Sequence, residues 1–282
     1  MDRLSPHARV SIVIPTFNGM PFIQDAVTSV QQQTYPNVEL IIVDGGSTDE
    51  TVEWVISHGL VCTRLEVGTP VAQTWTAATE LATGDFITLL CQDDVLYPDA
   101  ISSQMELLDR FPRATAVVAQ RDVIDASSAL VKRRRGLAGV RTDAVEGPLL
   151  FRQSFRLGTN ILGEPHVLLF RRLALVSHMP WNGSLPYLLD LATYQSVLDD
   201  SEVLVAINKR PIGAFRVSSS SWSTRLVAAQ REQMRQWQKD YACTHRVSLW
   251  ERTQAWANAW LQAQARRAFY LVLKLKGRWS PA

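Results

Sequence analysis

Apolar positions in the first hundred residues follow two alternating rhythms. Short β-branched runs, "RVSIVIP" (9–15), "VELIIV" (38–43), "TRLEV" (63–67) and "DFITLL" (85–90), read as strands, most of them apolar enough to be buried on both faces. Between them the apolar period lengthens to that of a helix. Phe22, Ile23, Ala26, Val27 and Val30 recur on one face after Pro21. Ser47 with Glu50 three residues on reads as a capping box opening a helix through about Ser57. Thr69 and Pro70 open a third helix to about Ala82, stopped by Gly84. Strands and helices alternating at this spacing predict an α/β fold with a parallel sheet covered on both faces.

The second half is less regular. A helix is expected from Pro98 to Arg110, then two strands over 114–136 around a turn near Asp125–Ser128. The span 137–165 reads as a loop-and-helix region over the site, and "HVLLFRR" (166–172) as another strand. A helix follows over 184–200, and 202–218 reads as two strands broken at Pro211. From Arg225 to about Lys276 the pattern is helical with little turn chemistry.

Composition changes this picture in one place. The net charge of +2 conceals 18 Lys and Arg against 24 Asp and Glu in residues 1–224, and 11 against 3 in residues 225–282, where five of the nine tryptophans also lie. The chain is therefore expected to divide into an α/β domain, 1–224, and a basic, Trp-rich helical extension, 225–282. Three widely spaced cysteines with no CxxC suggest neither a zinc site nor a disulfide framework. The start "MDRLSPHARVSIVIP" has no signal-peptide pattern, and no run of 18 apolar residues would span a membrane. A cytoplasmic protein is the expectation.

Ligands of open α/β sheets bind at the carboxyl ends of the strands. Three such ends read "PTFN" (15–18), "DGGSTD" (44–49) and "CQDD" (91–94), and they are expected to gather on one rim. If Ser47 caps the helix, Asp44 is free to accept hydrogen bonds from a ligand, and Gly45 and Gly46 let the backbone approach it; the simpler alternative is that Asp44 is itself a cap. Asp93 and Asp94 are adjacent acids after an apolar strand, costly unless solvated or neutralised by a cation. Their hard oxygens suit Mg²⁺ or Mn²⁺, which keep positions open for substrate phosphates.

These residues carry a resemblance. The opening "VSIVIPTFNGMPFIQDAVTSVQQQTYPNVELIIVDGGSTDET" and "LATGDFITLLCQDDVLYPDAI" (81–101) resemble the family 2 glycosyltransferases, strongly over 10–110 and more loosely over 150–225. The resemblance implies the GT-A fold, a mostly parallel Rossmann-like sheet flanked by helices, and transfer with inversion from a nucleotide-diphosphate sugar, usually UDP-linked. It implies that Pro15, Thr16, Asn18, Asp44, Gly46, Gln73 and Asp93 line the nucleotide, and that Asp93 and Asp94 hold the metal. Three departures stand out: Cys91 where the family often has aspartate, Thr76 where many members have Asn, and "DGGS" for the usual "DDGS".

Inversion needs a carboxylate to deprotonate the acceptor hydroxyl. Asp190 in "PYLLDLATYQSVL" resembles the family's acidic segment, with Leu189 in place of its first acid, and its apolar neighbours would raise its pKa. Asp199 and Asp200 are rivals. Glu164 and His166 are expected to touch the acceptor or the transferred sugar, and Arg216 the diphosphate. The expected reaction joins the sugar to a glycan or lipid-linked acceptor of the cell surface, with no role for nucleic acid. The alternative is a catalytically degenerate nucleotide-binding scaffold of a polysaccharide assembly complex. A sugar-phosphate nucleotidyltransferase would want a glycine-rich signature with Arg and Lys near the first strand, which "IVIPTFNGMPF" lacks. In the tail, Leu249, Trp256, Trp260, Leu261, Ala268, Leu271, Val272 and Leu275 fall near helical spacing among basic residues. That pattern has two readings: contact with a membrane surface through 249–279, or a helix packed on the domain or on a second copy.

Overall fold

The computed structural model describes residues 8–226 and 228–279. Four of the expected strands form its centre: β1 (Val10–Thr16), β2 (Val38–Asp44), β3 (Cys62–Arg64) and β4 (Phe86–Leu89). They run parallel in the order β3-β2-β1-β4. Every residue of β1 is buried, as a strand with helices on both faces requires. The intervening helices are α1 (Ile23–Gln31), α2 (Thr51–Ser57) and α3 (Val71–Glu80). β3 is shorter than the expected 63–67, because it lies at the sheet edge and pairs on one side only.

Beyond β4 the sheet becomes mixed. The chain continues through β5 (Val95–Leu96), α4 (Ala100–Arg110), β6 (Ala114–Asp125), β7 (Leu130–Arg135), β8 (Ala144–Glu146) and α5 (Gly147–Leu157). A 3₁₀ turn over Pro165–Val167 leads into β9 (Leu168–Arg171), which lies antiparallel between β4 and β6. Helices α6 (Arg172–Val176) and α7 (Leu189–Leu198) precede β10 (Leu204–Val217). The expected break at Pro211 does not divide β10. One long strand pairs in parallel with β6, and register shifts around Pro211 absorb the missing N–H.

The basic tail follows as α8 (Trp222–Arg225), α9 (Gln230–Thr244) and α10 (Leu249–Leu275). A turn the sequence reading missed separates the last two helices, and a capping box at Ser248 and Glu251 starts α10. The boundary at 224 marks a change of composition, not of packing. Met234, Trp237, Tyr241, Ala255 and Ala259 belong to the same buried cluster as β1.

The first half of α10 meets the domain through small residues, with Ala255, Ala259 and Ala263 buried along one face, and the second half through Leu273. At Gly158, which ends α5 with φ of 63°, an added Cβ would lie 2.3 Å from the backbone nitrogen of Ala259. The helix axis can approach only because that position has no side chain. Gly158→Ala is therefore expected to lower the unfolding free energy by about 1–3 kcal/mol through backbone strain and overpacking. Urea denaturation followed by tryptophan fluorescence would read this, and an unshifted midpoint would contradict the close approach.

Candidate active site

The three strand ends meet on one rim, as expected, and side chains lace them together. Gln92 Oε1 accepts from Thr16 Oγ1 at 2.7 Å and from the Phe17 amide at 2.7 Å, while its Nε2 donates to the Phe17 carbonyl at 3.1 Å. Asn18 donates through its amide to Ser47 Oγ at 2.8 Å, and its Oδ1 accepts from the Thr48 amide at 2.8 Å.

The capping box expected at Ser47 and Glu50 does not form. Helix α2 begins only at Thr51 and has no side-chain cap. The Ser47 hydroxyl donates instead to Asp44 Oδ1, and Asp44 Oδ2 accepts from the amides of Gly46 at 3.0 Å and Ser47 at 2.9 Å. Asp44 is fully buried, with the Arg64 Nε 3.7 Å away. Its carboxylate therefore closes a turn and is not left free as the cap argument expected. Gly46 also serves the protein: with φ of 90°, its Cβ would lie 2.5 Å from Val67 Cα, so glycine is needed to pass another chain segment.

Of the acidic pair, Asp94 turns inward. It is 1% exposed, and it accepts from the Arg216 amide at 2.9 Å and pairs with His166 Nδ1 at 3.0 Å. Asp93 faces the cleft, and its Oδ2 accepts from Ser221 Oγ at 2.9 Å. Burial, and then the charge of Asp94, push the Asp93 pKa well above the usual carboxylate range. Burial and the same two acids also push the neighbouring Cys91 thiol up.

Two expected contact residues support this loop from beneath and do not line the cleft. His166 is fully buried against Asp94. Arg216 is 1% exposed: its Nε donates to the Asp93 carbonyl at 2.8 Å, and its remaining nitrogens bond Asp25, Ser128 and the Asp125 carbonyl. With its guanidinium so occupied, it is not placed to meet a diphosphate.

The cleft has a volume of about 470 Å³ and receives Pro15, Thr16, Asn18, Cys91, Asp93, Glu164 and Asp190, with Asp94 at its floor. Asp190, in the first turn of α7, accepts from Asn160 Nδ2 at 2.9 Å and from the Leu191 amide at 2.6 Å. Burial raises its pKa to about 6, against the lowering effect of these donors and of Arg121. Glu164 is paired with Arg121 Nε in the cleft wall. Gln73 is exposed and outside the lining, whereas its helix neighbours Thr74 and Trp75 are within it; one residue along a helix turns the side chain by about 100°.

Sequence reasoning missed the aromatic walls, Trp75, Tyr187 and Trp222, and the arginines Arg121, Arg135 and Arg266. It also missed Asn160, the partner of Asp190. The Gly, Pro and Asn of "GTNILGEP" gave a loop signal there, but not its partner.

The description "Glycosyl transferase family 2" matches residues 11–177, more than half of the chain. The chain belongs to glycosyltransferase family 2. An uncharacterized glycosyltransferase of Rickettsia prowazekii is 32% identical over 110 residues, covering 39% of this chain and 35% of its own length. The chain thus spans about a third of that relative. Among solved structures, Staphylococcus aureus TarS 1–349 in complex with UDP-GlcNAc superposes with a TM-score of 0.59 at 17% identity, over 89% of this chain and 79% of that one. The Mycobacterium tuberculosis glucosyl-3-phosphoglycerate synthase in complex with Mg²⁺ and UDP gives 0.54 at 18%, over 86% and 81%. These likenesses establish the GT-A fold.

The residues present fit a divalent ion of the kind named with that synthase. Among the described residues no three His, Cys, Asp or Glu groups converge into a full ligand set. Mg²⁺ and Mn²⁺ do not need one, since they take one or two carboxylates and complete their shell with phosphate oxygens and water. Asp93, raised in pKa by burial and then by the charge of Asp94, is a cleft carboxylate whose charge such an ion would stabilise.

The Asp44 turn gives a test of its own. Ser47→Ala removes one hydrogen bond to a buried carboxylate and is expected to cost roughly 1.5–3 kcal/mol of stability. Chemical denaturation measures it, and wild-type stability would refute the turn.

Proposed function

We propose that this family 2 enzyme is an inverting, metal-dependent glycosyltransferase that moves a sugar from a nucleotide diphosphate, with UDP the favoured carrier, to a glycan or lipid-linked acceptor of the cell surface. The observation that carries the reading is the placing of Asp190 and Asp93 in one cleft with different hydrogen-bond partners. Asp190 is half-buried, oriented by Asn160 and raised by desolvation to a pKa of about 6, while Asp93, raised in the same way, accepts from Ser221 and stands beside a second carboxylate.

In this scheme the nucleotide lies on the rim of Pro15, Thr16 and Asn18. Asp44 acts on it chiefly by fixing the turn, and reaches a base only if its turn opens. Asp93 would hold Mg²⁺ or Mn²⁺, which when bound neutralises the diphosphate and eases its departure. Asp190 takes the proton of the acceptor hydroxyl. As that oxygen bonds to the anomeric carbon from the far side, the bond to the diphosphate breaks, and its electron pair leaves with the phosphate oxygen. Glu164, tied to Arg121, would face the acceptor or the sugar.

The tail supports contact with an anionic membrane surface. The stripe read from the sequence is the outward one, with Leu249, Trp256, Trp260, Leu261, Leu271, Val272 and Leu275 exposed, and Trp250 exposed beside it. Residues 252–282 contain no Asp or Glu, while Arg267, Lys274 and Lys276 are exposed beside the apolar stripe. Tryptophans and basic side chains around an apolar face suit a lipid headgroup layer. Among the described residues no helix is long and apolar enough to cross a membrane.

Asp190→Asn is expected to abolish transfer while leaving UDP affinity within about twofold in calorimetry; full activity would remove Asp190 as the base. The base acts deprotonated, so kcat/KM should rise with pH through about 6. Asn160→Ala, which removes a donor favouring the charged form, should move that limb to higher pH. A profile unchanged by Asn160→Ala would count against the assignment. For the tail, Trp260→Glu and Leu271→Glu should abolish flotation with phosphatidylglycerol vesicles while leaving the fold intact by circular dichroism. Flotation as in wild type would exclude this face.

A further inference from the structure

Three arginines crowd one wall of the cleft, and the fold gives them too few partners. Arg121 on β6 and Arg135 on β7 stand directly opposite each other in the antiparallel register. Like charges facing across two strands are destabilising. Arg266 arrives from α10 and lies over the Tyr187 ring at 5.9 Å. All three line the cleft.

Their surroundings show the mutual repulsion. Burial, and then Arg135, lower the Arg121 pKa to about 9, and burial, and then Arg266, lower that of Arg135. Glu164 pairs with Arg121, and Asp190 is the other carboxylate acting on it from the cleft wall, with Asp94 acting from below. The Arg135 side chain makes no hydrogen bond or ion pair among the described residues. Arg266 donates through Nε to Gln230 at 2.9 Å and through Nη1 to Thr159 at 3.4 Å, both neutral. Its Nη2, and Nη1 of Arg121, are buried with no hydrogen-bond partner, although the two side chains are 92% and 97% buried. A guanidinium buried with unused donors is costly. Two of them, with the Arg135 guanidinium beside them, around one cavity make a site suited to an anion.

We propose that Arg135 and Arg266, with Arg121 behind them, bind a phosphate or carboxylate group of the acceptor, so that the enzyme glycosylates an acidic acceptor. The inference rests on the reading of this cleft as a transfer site. The acids and the arginines divide the cleft accordingly: Asp93 serves the donor and its metal, while the arginines adjoin Asp190, Asn160 and Tyr187, where the attacking hydroxyl must sit. Guanidinium groups bond phosphate and carboxylate through paired parallel donors, which fixes the acceptor as well as attracting it. Arg266 also ties the extension to the chemistry, because α10 supplies one of the three.

The test is calorimetry on the full chain saturated with UDP and Mg²⁺. The second ligands are glycerol 3-phosphate, glucuronate and, as a neutral control, glucose. Wild type is expected to bind one or both anions and not glucose, and the anion preferred names the acceptor group. Arg135→Gln and Arg266→Gln should each weaken that binding roughly tenfold or more, the value of a charge-assisted bond, with UDP affinity within about twofold. Arg266→Lys, which keeps the charge but loses the fork, should fall between. No anion bound by the UDP-loaded protein, or equal binding by both Gln variants, overturns the proposal and leaves the donor reading standing. Weakened UDP binding in these variants also overturns it, assigning the arginines to the donor diphosphate. Failure of wild type to bind UDP strikes the donor reading instead, and the anion titrations without nucleotide then decide the arginine site by the same criteria.

Discussion

The buried carboxylate of Asp94 is the constraint on which the rest of the site depends. It accepts from the backbone of Arg216 and pairs with His166, groups 122 and 72 residues distant in sequence. One side chain thus joins the end of β4, the approach to β9 and the last turn of β10. Arg216 repeats the arrangement in reverse, reaching from β10 to the Asp93 carbonyl and to Asp25 at the start of α1. A buried acid is tolerated only when its lone pairs are taken up, and here they are. With Asp94 fixed, Asp93 must point outward into the cleft. The sequence places the two acids side by side, and the fold gives them opposite duties.

The same logic of neighbours with divided roles recurs across the cleft. Asp190 and Glu164 are both carboxylates of its wall, but one is held by neutral donors and the other by an arginine. The first keeps a raised pKa and the second is committed to its partner, so only the first is placed to exchange a proton near neutral pH. Cys91 fits this arrangement as well. A third acid in that position would add to the charge that already raises Asp93. A thiol pushed up in pKa stays neutral, so Cys91 leaves the local charge to Asp93 and Asp94.

Much of the fold was legible in the sequence, for physical reasons that also explain the exceptions. The central strands are runs of β-branched residues buried on both faces, a signal needing no tertiary context, so β1, β2 and β4 fall where the pattern puts them. Side-chain direction was not legible. Ser47 and Glu50 show the same four-residue signature as Ser248 and Glu251, yet only the second caps a helix. The difference is Asp44, three residues before Ser47, whose carboxylate takes the hydroxyl that a cap would use. Likewise the motifs drew attention to His166 and Arg216, but pattern alone cannot say that both face inward. The paired arginines were hidden because their meeting depends on the register of β6 on β7 and on the docking of a helix more than a hundred residues further on.

That docking accounts for what resemblance to the family left unexplained. The apolar stripe of α10 read from the sequence is not the face that packs. In the first half of the helix the packing face is Ala255, Ala259 and Ala263, with Leu273 further on, and the small residues allow the axis to come close enough for Arg266, on the same face, to reach the cleft. A helix docked through large side chains would stand further off, and its arginine would fall short. Trp250, Trp260, Leu261, Leu271, Val272 and Leu275 are left on the outer face, exposed. One helix therefore presents an arginine to the cleft on its inner side and tryptophans to the surroundings on its outer side, so whatever that outer face meets is joined by a single helix to the wall of the cleft.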